Sequence, residues 1–230
     1  MYIHIDCKGH GFEQSMFKHI CKKSKVVFIP RMSIHWGGDS SQTECELNLI
    51  EMALWIGEEY LYLHLLSRCD LQIKQSQQIH DFFDQHPDNQ FLALRNTISG
   101  LSGIQRYYFF MTSRSYNKYI AKGLDLISSF IQRIIRVNRL EKINYPLCKI
   151  QNWFSISGEC VAYVLSQKDF IEKFVLFTCC ADEMFLGTVI VNSIYRNQIY
   201  KPYRSLGGHM RLIDRERPEG ASPHTLTIED

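Results

Sequence analysis

Asp182 and Glu183 stand side by side at the start of a helix-like run that continues through Val189 and Ile190. A helix start favours carboxylate over carboxylic acid through its dipole. An ionised carboxylate at the mouth of a cleft is what a general base must be. Two more acids follow strand-like runs. Asp6 comes just after Tyr2-Ile3-His4-Ile5, and Asp70 closes Ser67-Arg68-Cys69-Asp70 after the apolar run 60–66. In an open α/β sheet, ligands bind beyond the carboxyl ends of strands. Asn152-Trp153-Phe154-Ser155 adds an aromatic platform. The chain has 14 Phe, 12 Tyr and 3 Trp. Such rings can pack on the apolar faces of sugars, although each also suits a core. Singly, each acid has a plain structural reading: Asp6 a turn residue, Asp70 a loop cap, Asp182 a helix cap.

The common phosphate and metal signatures are missing from the sequence. It contains no Gly-x-Gly-x-x-Gly, no Gly-x-x-x-x-Gly-Lys-Ser/Thr and no His-Glu-x-x-His. Gly37-Gly38 lacks the rest of a phosphate loop. Asp-x-Asp, a carboxylate pair that can hold a divalent cation, is absent too. The expectation is a site without metal or cofactor. The 26 basic residues are offset by 24 acidic ones, for a net charge of +2. That balance argues against a large nucleic-acid surface. Eight cysteines include no Cys-x-x-Cys, which reads as mostly buried, reduced thiols in a cytoplasmic protein. No signal peptide is visible, and no apolar stretch approaches the roughly 20 residues of a membrane span.

The elements that must position these residues alternate in hydrophobic period. Strands are expected at 2–5, 26–29, 60–66, 91–94, 107–110, 153–156 and 174–177. The run 60–66 is apolar on both faces, as a buried parallel strand is. A short helix is expected over 12–23. Ser41 and Glu44 form a capping-box pattern opening a helix with Leu47, Ile50, Ala53 and Leu54 on one side, ending near Gly57. A short helix carries Ile79, Phe82 and Phe83. The span 116–137 reads as a long amphipathic helix with Ile120, Leu124, Ile127, Ile131 and Ile134 on one face. Its Lys118, Lys122, Arg133 and Arg136 read as a solvated face. Ser157 is placed to cap the following helix. The part from residue 196 to 230 is loop-rich and basic. The pattern predicts one domain, 1–230, of α/β class: a mixed, mainly parallel sheet with helices on both faces.

Taken together, the segments resemble the core-2/I-branching β-1,6-N-acetylglucosaminyltransferases, a family that also holds peptide O-xylosyltransferases. The carrying segments are Tyr2-Ile-His-Ile-Asp-Cys-Lys8, Ile34-His-Trp-Gly37 and Tyr62-Leu-His-Leu-Leu-Ser-Arg-Cys-Asp-Leu-Gln-Ile-Lys74. They continue with Asn152-Trp-Phe-Ser155, Asp182-Glu-Met-Phe185 and Ser222-Pro-His-Thr-Leu226. The resemblance implies a GT-A-type fold and an inverting, metal-independent transfer from a UDP-sugar to a glycan hydroxyl. It implies that Glu183 is the catalytic base and that Asp6 contacts the donor's uridine. Asp70 would shape the donor pocket, Trp153 would line the cleft, and Asp182 would orient the turn that presents Glu183. Without a metal, a cation must meet the leaving diphosphate, which arginine does well through bidentate contacts. Arg211 is the first candidate, with Arg204 and Lys201 behind it.

Several positions depart from the family pattern: Ala181 replaces a usual Pro, Arg68 a Gly, Gln72 a Pro, and Arg215 a frequent Trp. Both ends also look abrupt, as though a leading strand and a Lys-bearing closing segment were absent. The rival reading is therefore a truncated or degenerate relative that binds glycan or nucleotide without turnover. A glycoside hydrolase is disfavoured, because adjacent Asp182 and Glu183 cannot easily flank one glycosidic bond. The expected donor sugar is N-acetylglucosamine or xylose, and the expected setting is polysaccharide assembly with peripheral membrane association.

Overall fold

The computed structural model describes residues 1–17, 24–36, 39–56, 59–67, 70–95, 101–113, 117–202 and 207–214. Cys21, Gly37, Gly38, Gly57, Arg68, Cys69, Tyr116, Arg204, Arg215, Arg217 and the segment 222–226 lie outside the described residues.

Five strands and seven α-helices are described, and the class is α/β. β1 (Tyr2–Ile3) and β2 (Val27–Phe28) pair in parallel. β5 (Lys149–Ser157) lies between β3 (Tyr62–Leu65) and β4 (Phe91–Arg95) and runs antiparallel to both. Parallel pairing among named strands is thus confined to the small outer pair, and β3 is not the buried parallel strand expected. Its apolar character on both faces has another cause. Leu63 and Leu65 pack on the main core. Tyr62, on the opposite face, meets the rings of Phe83 and Phe91 at 4.8 and 5.8 Å.

β5 organises the molecule. Side chains alternate along a strand, and Ile150, Phe154 and Ile156 enter the core on one face. Lys149, Gln151, Trp153 and Ser155 occupy the other phase. The register against β4 jumps between Leu92 and Leu94, which pair with Phe154 and Ile150. Gln151, Asn152 and Trp153 therefore stand opposite Ala93 alone. Such bulges re-aim side chains and are common beside functional sites. α7 (Phe185–Val191) closes over β5 through Gly187. A Cβ there would lie 2.6 Å from Ile150 Cγ2 and 2.7 Å from the Cys148 carbonyl.

Local capping follows the sequence in part. Ser157 Oγ accepts from Cys160 N at 3.3 Å and caps α5 (Gly158–Ser166), as expected. α1 (Ser41–Trp55) buries Leu47, Ile50 and Ala53, but its capping box does not form. Ser41 Oγ accepts from His35 N instead, at 2.8 Å. A capping box does open α2 (Ser76–Asp84), between Gln75 and Gln78. Of the expected helix over 12–23, residues 14–17 form a 3-10 turn, and residues 18–23 lie outside the described residues. Two predicted strands are absent. Residues 174–175 end α6 (Lys168–Val175), where Ile171, Phe174 and Val175 share one buried helical face.

Residues 107–110 are irregular because side chains of α4 (Lys118–Ile134) have taken their backbone groups. Asp125 accepts from Phe110 N at 3.2 Å and from Met111 N at 2.6 Å. Gln132 accepts from Tyr107 N and donates to Tyr107 O, both at 2.9 Å. Polar Asp125 and Gln132 are buried together with Ala121, while Ile120, Ile127, Ile131 and Ile134 are exposed. α4 is amphipathic as predicted and its Lys122 and Arg133, with Arg136 just beyond, are exposed, while the Lys118 side chain lies outside the described residues; the helix packs through its polar stripe. No helix among the described residues is long and apolar enough to cross a membrane.

Candidate functional site

The side chains of one strand gather most of the predicted site. Lys149, at the start of β5, pairs with the carboxylate of Glu183. Glu183 sits on a 3-10 turn, Ala181–Glu183, separated from α7 by the non-helical Met184. The expected placement in the first turn of a continuous helix is therefore corrected. The charge beside Glu183 is an ammonium rather than the end of a helix dipole. About a third of the Glu183 side chain reaches solvent. Cys180, in the left-handed region at φ 53°, turns the chain into this 3-10 segment.

Asp182 points the other way. It is buried and accepts from Asn152 Nδ2 at 2.6 Å. Burial pushes its carboxyl above the ordinary range, with the Asn152 bond opposing and the Glu183 charge reinforcing the shift. Beneath it lies Glu46 of α1, buried and pushed well above its ordinary value by burial and by Asp182. Glu183 is thus the outer member of three acids, and burial shifts the carboxyls of the two beneath it upward. Glu46 and Lys149 were not singled out from the sequence. Glu46 had a signal, a carboxylate among the apolar positions of an otherwise core-facing helix.

Further along β5, Trp153 donates from Nε1 to Asp70 Oδ2 at 3.1 Å. Asp70 Oδ2 also accepts from Ser67 N at 2.6 Å, which ties the loop after β3 to the indole. The Trp153 ring meets His209 edge-on at 6.0 Å. His209 is buried; Nε2 pairs with Gln151 Oε1, and Nδ1 accepts from Arg211 N at 3.0 Å. Those partners fix a neutral imidazole protonated on Nε2. Burial and the nearby charges of Arg211 and Arg95 bring its pKa down to about 4.

Arg211 donates through Nη1 to His209 O at 2.9 Å and through Nη2 to Ser155 Oγ at 3.3 Å. Its Nε, buried, has no hydrogen-bond partner among the described residues, and neither does Asn152 Oδ1. A buried donor or acceptor without a partner costs about 1–3 kcal/mol, which a polar ligand group can offset. Ser155 Oγ further meets His64 Nδ1 at 2.7 Å. Gly208 allows this approach: a Cβ there would sit 2.4 Å from the Leu92 carbonyl.

The structure therefore brings Asp70, Trp153 and Arg211 together through the odd positions of β5. Asp182 and Glu183 join the same strand through Asn152 and Lys149. Asp6 stands apart. Its carboxylate accepts from Lys8 N at 2.9 Å and lies 3.7 Å from Lys8 Nζ. Burial raises its pKa, but the Lys8 amide and ammonium outweigh that and hold it below the usual value. No hydrogen bond or ion pair among the described residues joins Asp6 to the β5 cluster. α1 links the two regions, packing on β1 and on the Glu183 turn. No hydrogen bond or ion pair among the described residues joins Lys201 to the β5 cluster. With Arg95 and Arg196, Lys201 lines a cavity of about 800 Å³ beside β4.

The sulfurs of Cys179 and Cys180 lie 3.7 Å apart. Cys45, Cys148 and Cys160 are buried, and Cys7 is exposed.

The sequence model of the family described as "Core-2/I-Branching enzyme" covers residues 1–225 of the 230. No curated protein matches the chain.

Proposed function

The chain belongs to the Core-2/I-Branching enzyme family, and from that premise we propose an inverting transfer of a sugar from a UDP-sugar to a glycan hydroxyl. Membership by itself implies glycosyl transfer in general, with a nucleotide-sugar donor and a glycan acceptor. The finer reading assigns Glu183 as general base. Its carboxylate takes the acceptor hydroxyl proton while that oxygen attacks the anomeric carbon from the face opposite UDP. The new C–O bond forms as the bond to the diphosphate breaks, UDP leaves with the electron pair, and the configuration inverts.

The observation that carries this role is the part-exposed Glu183 carboxylate, held on β5 by Lys149 above two buried acids. Trp153 offers its ring to a sugar face, and Asp70 fixes that ring. Arg211, with an Nε to spare, is assigned to the negative charge growing on the diphosphate. Asp6 is assigned to the uridine. Asp182 holds the turn that presents Glu183. With a guanidinium in that position and no Asp-x-Asp in the sequence, the reaction is assigned no metal. The donor sugar is N-acetylglucosamine or xylose, and the acceptor a growing polysaccharide.

The test is a UDP-sugar panel with glycan acceptors, run with and without EDTA on the wild type and on Glu183→Gln. Transfer that survives EDTA and falls by at least about 10²-fold in the variant is expected. Loss of activity with EDTA overturns the metal-free assignment, and full activity of Glu183→Gln overturns the base. One observation favours a second reading, glycan or nucleotide binding without turnover: Lys149 occupies the carboxylate of Glu183. Saturable donor binding by calorimetry with no transfer in any pairing selects that reading.

A further inference from the structure

α4 is inserted into the fold the wrong way round for a core helix. The side of the helix bearing Ala121, Asp125 and Gln132 is buried, with Asp125 at 2% and Gln132 at 6% exposure. These two residues are held by four hydrogen bonds to the backbone of 107–111, so the helix is not free to roll. The opposite side carries Ile120, Leu126, Ile127, Phe130, Ile131 and Ile134, all at least half exposed; Phe130 is 63% and Ile134 64% exposed. At 100° per residue they form one continuous stripe. A contiguous apolar patch of this kind on a folded protein marks an interaction surface.

Charge identifies the occupant. Lys122 and Arg133 are 11 residues apart, three turns, and line the same edge of the apolar stripe. Arg136 follows just past the helix end. All three are exposed. The helix's one acid among the described side chains, Asp125, is buried and consumed by two backbone amides. The outward half of α4 is therefore apolar and purely cationic. An apolar face with basic residues along its edge is the pattern of a helix that lies in the plane of a bilayer. Anionic headgroups attract such cations. A second copy fits less well, because pairing through this face would bring two cationic edges together.

We propose that the outward face of α4 docks on an anionic lipid surface, with Ile127, Phe130, Ile131 and Ile134 entering the headgroup boundary and Lys122, Arg133 and Arg136 meeting the lipid charge. This does not rest on the sugar-transfer reading, and its test uses no substrate.

The test is co-sedimentation of the full chain with large vesicles of phosphatidylcholine alone and of phosphatidylcholine with 30% phosphatidylglycerol (about one lipid in three anionic, enough to set a negative surface potential). Binding to the anionic vesicles, weakened by salt and weak on the neutral ones, is expected. Phe130→Ser with Ile134→Ser is expected to lower the partition coefficient at least about tenfold. Lys122→Glu with Arg133→Glu is expected to lower it at least about 20-fold, at roughly fivefold per cation lost. Circular dichroism and thermal melting check that these surface variants stay folded. Equal sedimentation of wild type and variants, or none with anionic vesicles at low salt, overturns the proposal. A concentration-dependent dimer abolished by Phe130→Ser, with no vesicle binding, overturns it in favour of a second copy.

Discussion

At the scale of single residues, the site depends on what each acid is paired with. Glu183 and Lys149 form a partly solvated ion pair, and such pairs add little to stability, about 0–1 kcal/mol. Lys149→Met is therefore expected to leave the melting temperature nearly unchanged. Its effect on turnover is expected to be large, at least about tenfold, because the carboxylate loses the group that fixes its position. A drop in stability without a change in kcat would reverse that assignment.

His209 gives a pH prediction with a definite sign. Its folded pKa of about 4 lies below the ordinary 6.5. Between those values the unfolded chain binds the proton and the folded chain does not. The contribution to stability is complete above about pH 6.5 and is lost as the pH falls toward 4, on the order of 3 kcal/mol in all. Thermal melts of wild type and His209→Gln across that window check it: the variant's stability is expected to fall less steeply.

At the scale of elements, β5 and the two segments crossing it hold the constellation. The loop at 207–211 reaches β5 only because Gly208 passes close to Leu92. Gly208→Ala is expected to push His209 and Arg211 away from Gln151 and Ser155. Under the proposed function, the weakened step is donor binding, so KM for the UDP-sugar is expected to rise more than kcat falls. Under α1, Glu46 is a buried carboxyl raised by burial and by Asp182. A group raised in this way contributes its full stability below its unfolded pKa and loses it as the pH rises. Glu46→Gln is therefore expected to raise the melting temperature at pH 8 by a few degrees, with little change at pH 4. Calorimetric melts at the two pH values read this directly.

At the scale of the whole molecule, α4 shows why amphipathicity does not determine orientation. The periodicity of residues 116–137 separated an apolar from a basic face, and Lys122, Arg133 and Arg136 are exposed as expected. The polar stripe is nevertheless what packs, because Asp125 and Gln132 satisfy backbone groups of 107–111 that have no strand partner. Asp125→Ala would leave two amides without acceptors, at about 2–3 kcal/mol. It is expected to lower the melting temperature by roughly 5–10 °C, and Asp125→Asn by less.

Much of the local placement of the candidate residues was legible in the chain because strand periodicity and residue chemistry are local. Asp70, Trp153, Asp182 and Glu183 were named from runs of a few residues, Arg211 only as a cation that the family resemblance called for, and Ser157 was placed as a cap. The α/β class and the family resemblance followed from the order of those runs. Other properties depended on which groups meet from distant parts of the chain. Lys149 finds Glu183 across 34 residues of sequence, and Glu46 is driven toward its protonated form only by the packing of α1 on Asp182. The antiparallel place of β5, the bulge at 151–153 and the outward face of α4 are decided in the same way. A sequence states which side chains can bond or be buried; hydrogen-bond satisfaction over the whole fold selects which of them do.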